Sequence, residues 1–195
     1  MLPCLDVAFV LKSLGKCTIM NFTHRVAVEA DIPAIAALMA RAIGALQGDF
    51  LTPAQVEASR AVMGLDTQLI ADGTYLLVEA DGRLAGCGGW SRRATLYGGD
   101  HSTALRDAAL LDPARDAARI RAMYTDPDFV RRGVGRLVLS VCEAAAREAG
   151  FMRAEMMATL AGEPLYRACG YLPIERIETP GEVPVPMIRM GKGLR

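Results

Sequence analysis

The segment that constrains the fold most is residues 120–149, where a short alternating run leads into a glycine-containing loop and then a helix-forming stretch. Apolar and polar residues alternate over 120–124, which predicts a strand. The loop at 131–135 reads Arg-Arg-Gly-Val-Gly, and the amphipathic pattern of 134–149 predicts a helix. A strand therefore leads to a helix N-terminus, where unpaired N–H groups and the helix dipole favour an anion such as a pyrophosphate.

Two better-known phosphate-binding motifs do not fit this loop. A Walker-type loop requires Lys and then Ser or Thr after its last glycine, but Arg136 and Leu137 follow Gly135. A dinucleotide fingerprint requires a third glycine where Val138 stands. Taken alone, the loop is equally compatible with an ordinary strand-to-helix turn that uses glycine for tight geometry. Only the rest of the sequence can distinguish an anion-binding loop from an ordinary turn.

Length and charge limit the class of protein. The 195 residues predict one domain, and a hydrophobic content of 52% is enough for a large core. The 22 basic and 22 acidic side chains cancel, so bulk charge favours neither nucleic acid nor an anionic membrane as a partner. We expect residues 1–22 to be an N-terminal extension, with Met20 as a candidate natural start, and residues 23–195 to form the single domain. The extension lacks the basic start and cleavage site of a signal peptide.

The cysteines and histidines argue against a metal site. The 5 cysteines are widely spaced and form no Cys-x-x-Cys pair, so we interpret them as reduced thiols of a cytoplasmic protein. The only histidines are His24 and His101, too few for a histidine-rich metal centre. We expect no metal cofactor, and we expect His101 to be an exposed loop residue without a catalytic role.

The first part of the domain predicts one strand and two helices. The strand covers residues 24–29, where apolar and polar side chains alternate. Asp31 is the predicted cap of the first helix, which has Pro33 in its first turn and ends at residue 46. The second helix is predicted over residues 52–64, with a threonine cap and a glycine end.

A β-hairpin follows the two helices. Its predicted strands are residues 74–80 and 83–92, joined by the turn-forming pair Asp81-Gly82. Trp90, the single tryptophan, is expected to be a core residue in the second strand. Three glycines in that strand indicate a bulge or a close approach to its backbone: Gly86, Gly88 and Gly89. Residues 93–118 then break the pattern, and so long a connection indicates a functional or disordered loop.

The second half repeats the strand and helix pattern. In the helix at 134–149, Glu143 and Arg147 are expected to face water as a pair, and Gly150 to end the helix. The predicted buried stripe of this helix is Leu137, Val138, Val141, Cys142 and Ala145. A strand at 151–158, a short helix after Gly162 that Gly170 stops, and a closing hairpin within 171–193 complete the chain.

Four features in this order resemble the GNAT superfamily of acyl-CoA N-acyltransferases. They are the strand leading to Asp126-Pro127, the loop at 131–135, the LYRACGY segment at 165–171 and the closing strand that ends in MGKGL at 190–194. The resemblance covers residues 25–194. It implies an α/β (α+β) fold of the GNAT type, with a mixed, mostly antiparallel sheet of about six or seven strands flanked by about four helices.

The resemblance also implies acetyl-CoA as the co-substrate. The edge of the fourth strand at Met123, Tyr124 and Thr125 would hydrogen-bond the pantetheine arm through its backbone. The loop would hold the pyrophosphate with backbone N–H groups, and its arginines would add charge-assisted contacts. The loop residues concerned are Arg131, Arg132, Gly133, Val134, Gly135 and Arg136. Val130 replaces a Gln or Arg of the family pattern, and Thr159 lies near a common Asn position.

Tyr166 resembles the family tyrosine that points to the CoA sulfur, where its phenol would donate a proton or hydrogen-bond the sulfur. A backbone N–H near Met123 or Tyr124 would stabilise the oxyanion. The general base is unassigned, with a water chain as one alternative and three side chains as the others: Glu79, Glu155 and Tyr124.

Two functions are compatible with the sequence. The first is an N-acetyltransferase that moves an acetyl group to a primary amine by direct attack in a ternary complex. The alternative is a catalytically inactive acyl-CoA-binding sensor or interaction module. The expected partner is a small-molecule or peptide amine, with no nucleic acid or membrane. The closing hairpin is a candidate homodimer contact.

Overall fold

The structure, a computed structural model, describes residues 21–194. One seven-stranded open sheet has the order β1-β2-β3-β4-β5-β7-β6, and every neighbouring pair is antiparallel except β4 with β5. This confirms the predicted fold class. The strands are β1 Phe22–Val26, β2 Tyr75–Ala80, β3 Arg83–Ser91, β4 Ala118–Thr125, β5 Arg153–Thr159, β6 Leu172–Glu178 and β7 Pro186–Gly193.

Helices cover both faces of the sheet. One apolar cluster joins α1 to Leu77 and Cys87 on one face, and a second joins α4 to Val78 and Ile120 on the other. Strand β2 is buried on both faces, which explains its almost unbroken apolar sequence. The helices are α1 Ile32–Leu46, α2 Pro53–Ser59, α3 Thr67–Ala71, α4 Val134–Glu148 and α5 Glu163–Ala168.

The first strand ends earlier than predicted, and the predicted cap of α1 has another role. The Asp31 carboxylate accepts a hydrogen bond from the Val28 N–H at 2.8 Å and binds the Arg25 guanidinium at 2.7 Å. These contacts turn the chain away from the sheet after Val26. Asp31 is the N-cap residue of α1, as predicted, but its side chain makes no capping hydrogen bond to this helix.

Helix α2 begins as predicted but ends early. The Thr52 hydroxyl accepts from the Gln55 N–H at 3.3 Å, and the Gln55 side chain accepts from the Thr52 N–H at 3.1 Å. After Ser59 the backbone hydrogen bonds change to i→i−3 spacing, from the Arg60 N–H to the Glu57 carbonyl and likewise at the next two residues. The chain therefore reaches Gly64 through turns and not as helix. Helix α3 was not predicted, because its five residues are too few to show a period.

The predicted hairpin is confirmed, and so is the close approach of other residues to the glycines of its second strand. Asp81 and Gly82 have φ of 50° and 75°, the positive values that a tight two-residue turn requires. Strand β3 is approached closely by α4, since a Cβ atom at Gly88 would lie 2.8 Å from Val138 Cγ1. Trp90 is buried and packs edge-on against Phe151. The predicted core position of Trp90 and the close approach to the β3 backbone are therefore both observed.

Helix α4 has the predicted extent. Its observed buried stripe is rotated around the helix axis by about one residue relative to the predicted stripe. Its fully buried residues are Val134, Val138, Leu139, Cys142 and Ala146. Leu137, Val141 and Ala145 are only partly buried. Glu143 does not face water as predicted, because it accepts hydrogen bonds from Lys192 Nζ of β7 at 2.8 and 2.9 Å. Gly150 follows the helix with φ of 92°, as expected at a helix end.

The long connection before β4 is folded onto the domain. Arg93 pairs with Leu110 in an isolated bridge, and Thr103–Leu105 forms a 3-10 turn. His101 is exposed, as predicted. No helix within residues 21–194 has the length and apolar composition to cross a membrane. Most of the predicted N-terminal extension, with Met20, Cys4 and Cys17, lies outside the described residues.

Candidate active site

The site is a cleft between β4 and β5. These parallel strands pair only at Ala118–Ile120 with Ala154–Met156, although both continue further. Beyond the paired residues the strands separate, and the cleft is lined by residues of β4 together with Met156, Met157 and Thr159 of β5. Separated strands leave backbone N–H and C=O groups without a sheet partner, so a ligand in the cleft can bind them.

A bulge in β4 accompanies the separation. Arg121 pairs with Gly89 and Tyr124 with Cys87, so Ala122 and Met123 together oppose Gly88. Ala122 has φ of 51°, which is uncommon for a residue with a side chain. The hydroxyl of the fully buried Tyr75 donates to the Ala122 carbonyl at 3.2 Å. This contact supports the strained backbone where β4 enters the cleft.

The predicted phosphate loop lies at the end of β4, at the start of α4. Gly133 is the N-cap with φ of 90° and has no side-chain cap. The Leu137 N–H is the first to donate within the helix, to the Gly133 carbonyl at 2.9 Å. The N–H groups of residues 133–136 therefore have no acceptor in the helix. Such a group of donors at the positive end of a 15-residue helix fits a diphosphate.

The loop adjoins elements that form the cleft. A Cβ atom at Gly135 would lie 3.5 Å from Thr125 Oγ1 and 2.8 Å from Leu165 Cδ2, so the loop adjoins both the end of β4 and helix α5. Arg131, Arg132 and Arg136 are exposed. The structure therefore brings all the predicted cofactor residues onto one path: Met123, Tyr124, Thr125, Arg131, Arg132, Gly133, Val134, Gly135 and Arg136.

Tyr166 of α5 lines the same cleft and is 8% exposed. Its ring packs edge-on against Tyr171, with 6.3 Å between centroids, and also lies against Gly162. Burial raises the pKa of the Tyr166 phenol, and the nearby Cys169 and Cys142 thiols raise it further. Tyr166 therefore stays protonated at neutral pH and can act as a hydrogen-bond or proton donor.

Two of the three candidate bases lie outside the cleft. Glu79 binds Arg25 at 3.0 Å, and Glu155 binds Arg119 and Arg189, each at 2.7 Å. Tyr124 does line the cleft. Burial and the Cys87 thiol raise the pKa of its phenol, and a hydrogen bond from the Gly64 backbone opposes that rise. Tyr124 is consequently no phenolate at neutral pH, so its oxygen can accept a hydrogen bond but cannot act as the general base.

A buried ion pair beneath the cleft was not predicted, because no local pattern in the sequence indicates it. Arg121 lines the cleft, yet its side chain is only 4% exposed, and its Nη1 lies 2.5 Å from Oδ2 of the fully buried Asp66. Arg121 also donates to the Gly98 carbonyl at 2.6 Å, and Arg106 binds the other Asp66 oxygen at 3.1 Å. Burial lowers the pKa of Arg121, and Asp66 opposes this. This network fixes the loop before β4 to the cleft.

Comparisons with known proteins agree with this geometry. A model of the acetyltransferase (GNAT) family matches residues 42–171. Comparison with curated protein sequences gives no match.

Solved structures show the same fold. A GCN5-related N-acetyltransferase from Rhodopseudomonas palustris is 20% identical with a TM-score of 0.64, over 88% of this chain and 94% of that chain. The PaiA N-acetyltransferase from Thermoplasma acidophilum, solved with coenzyme A, is 12% identical with a TM-score of 0.61, over 89% and 99%. A Salmonella typhimurium protein solved with its cofactor acetyl-CoA is 18% identical with a TM-score of 0.58, over 89% and 94%.

Proposed function

The chain belongs to the acetyltransferase (GNAT) family, and from this premise we propose that it is an N-acetyltransferase that moves the acetyl group of acetyl-CoA to a primary amine. The observation that carries the proposal is the cleft between β4 and β5. The buried phenol of Tyr166 lines it, and the N–H groups at the start of α4 lie beside the end of β4 that leads out of it. One end suits a diphosphate and the other a reacting thioester.

The chain has residues suited to each part of acetyl-CoA. Residues 133–136 would bind the pyrophosphate through backbone N–H groups, and Arg131, Arg132 and Arg136 would add charge. The edge of β4 at Met123, Tyr124 and Thr125, which has no strand partner on the β5 side, would bind the pantetheine arm. Support for this ligand comes from two proteins of the same fold that were solved with coenzyme A and with acetyl-CoA.

The chemistry follows from the groups in the cleft. A neutral amine attacks the thioester carbonyl, and the C–N bond forms to give a tetrahedral oxyanion. A backbone N–H of Met123 or Tyr124 stabilises the oxyanion, an effect worth about 10²–10³-fold in rate. The amine proton leaves to water, and the intermediate collapses with cleavage of the C–S bond. Tyr166 gives its phenolic proton to the departing thiolate and takes a proton back from water.

Direct attack is favoured over a cysteinyl intermediate. Cys87 and Cys142 are fully buried, and burial raises the pKa of the Cys87 thiol to about 12. Burial also raises the pKa of Cys169. None of these thiols is therefore a ready thiolate at neutral pH. The three cysteines of residues 21–194 are free, which supports the further proposal of a cytoplasmic protein.

The pH dependence of kcat/KM should follow the pKa of the amine substrate and not the pKa of a base on the protein. No carboxylate lines the described part of the cleft, so the amine must bind in its neutral form. We expect kcat/KM to rise about tenfold per pH unit up to the pKa of the amine. Because the pKa of Tyr166 is raised, its deprotonation should cause no fall below about pH 10, the ordinary tyrosine value.

The measurement is a pH–rate profile with two acceptors of different basicity, benzylamine and hexylamine. The midpoint of the rising limb should move with the amine. A midpoint that stays fixed for both acceptors would instead identify a titrating base on the protein.

The proposed function is tested by amine-dependent release of free CoA thiol, with mass spectrometry of the product. The panel should include alkylamines, arylalkylamines, amino acids, polyamines, aminoglycosides and peptides with free N-termini. An acetylated amine supports the enzyme. If calorimetry shows that acetyl-CoA binds but no amine in the panel is acetylated, the alternative of an inactive acyl-CoA-binding module is the better one.

A further inference from the structure

We propose that the acceptor is a monoamine with an apolar aliphatic or aromatic body, and that the cleft rejects amines that carry a second positive charge. The inference rests on the proposed function, because it concerns the acceptor side of the same cleft. It comes from the juxtaposition of an apolar, methionine-rich lining with a buried arginine, and from the lack of a carboxylate among the lining residues that the structure describes.

The lining is apolar where the acceptor has to lie. The side chains that are neither on the α4 side of the sheet nor part of the loop come from the α2–α3 turns, the loop before β4, β5 and β7. They are Val62, Met63, Leu96, Tyr97, Met157, Thr159 and Met187, of which only Tyr97 and Thr159 carry a polar group. Methionine side chains are flexible and polarizable, so they adapt to aliphatic and aromatic groups alike. Each methylene buried there should improve kcat/KM by about fourfold.

The charge in the lining has one sign. Among the described residues that line the cleft, Arg121 is the only charged one. Its counter-ion Asp66 is fully buried and is already bound by both Arg121 and Arg106. Asp66 therefore cannot serve as a partner for a substrate ammonium group.

Charged side chains near the lining add to its positive charge. Glu155 lies two residues from Met157 along β5, on the same face of the sheet. Its carboxylate is shared by Arg119 and Arg189, at 2.7 Å from each. Two cations therefore face one anion in this cluster. The Arg121 network is balanced, because Arg106 also binds Asp100 at 3.2 Å, so the excess positive charge near the acceptor side comes from Arg119 and Arg189. A second ammonium would lose its water next to like charges and gain no carboxylate.

The test compares matched acceptors with the wild-type protein. Hexylamine is set against hexamethylenediamine, and benzylamine against xylylenediamine, with kcat/KM measured by CoA release. We expect each monoamine to be favoured by about tenfold or more at neutral pH. Equal or better use of the diamines would overturn the inference and leave the proposed function standing. Absence of turnover with every amine would count against the proposed function itself.

A pair of Val62 variants tests whether the lack of a carboxylate causes the preference for monoamines. Val62→Glu places a carboxylate in the lining, and Val62→Gln places a neutral group of the same size there. We expect Val62→Glu to shift the preference toward the diamine by about tenfold, and Val62→Gln to leave it unchanged. Val183→Glu, at an exposed valine that does not line the cleft, controls for the added charge. An unchanged preference in folded Val62→Glu would overturn the inference. If the variant does not fold, the comparison of amines with the wild-type protein still tests the inference.

Discussion

Replacing Gly135 with leucine is expected to weaken CoA binding by about 100-fold or more, close to 3 kcal/mol. Gly135 is in the first turn of α4, among the N–H groups proposed to bind the pyrophosphate. Even a Cβ atom there would come within 2.8 Å of Leu165 Cδ2 and 3.5 Å of Thr125 Oγ1. A leucine would therefore fill the junction between the loop and the cleft, where the cofactor must pass.

Calorimetric titration with CoA measures this effect. The matched control is Gly44→Leu in α1, because Gly44 is also helical but has no atom within 4 Å of its Cβ position. That variant should bind CoA as the wild type does, and thermal unfolding should show both variants folded. Wild-type CoA affinity in Gly135→Leu would remove the start of α4 from the binding site.

Replacing Tyr166 with phenylalanine is expected to lower kcat by about 10²-fold, the lower end of the range for a general acid. CoA affinity should change by no more than about twofold, because the ring and its packing against Tyr171 and Gly162 are kept. The loss should fall on kcat and not on the acceptor KM, since the hydroxyl is proposed to act on the departing thiolate.

Tyr171→Phe is the matched control for this prediction. Tyr171 is a fully buried tyrosine in edge-on contact with Tyr166, and it does not line the cleft. Removing its hydroxyl should change kcat by less than about threefold. If Tyr166→Phe kept the wild-type kcat, proton donation by Tyr166 would be wrong, and water or another group would protonate the thiolate.

The predictable parts of this molecule are the ones that local sequence determines. The strand, loop and helix around Gly133 and Gly135 could be predicted because alternation, glycine placement and amphipathicity all act over a few residues. The Asp81-Gly82 hairpin was predictable for the same reason. The resemblance to the GNAT superfamily then assigned Met123, Tyr124, Thr125 and Tyr166 to the acyl-CoA site.

The features that were missed depend on contacts between distant residues. Asp31 had the sequence of a helix cap, but Arg25 and the Val28 N–H bind its carboxylate. Glu143 is drawn to Lys192 across the fold. The Arg121–Asp66 pair joins β4 to the turn before α3, and in the sequence Arg121 looks like any outward-facing polar residue of a strand. Glu79 and Glu155 were candidate bases by residue type alone, and their arginine partners place them elsewhere.

Acetyl-CoA is proposed to bind in the β4–β5 cleft with its pyrophosphate at the start of α4. The most direct measurement is a crystal structure of the protein with acetyl-CoA. We predict phosphate oxygens within hydrogen-bond distance of the N–H groups of residues 133–136, and the thioester between β4 and β5 beside the Tyr166 hydroxyl. A complex with the pyrophosphate away from α4, or the thioester outside the cleft, would contradict the account.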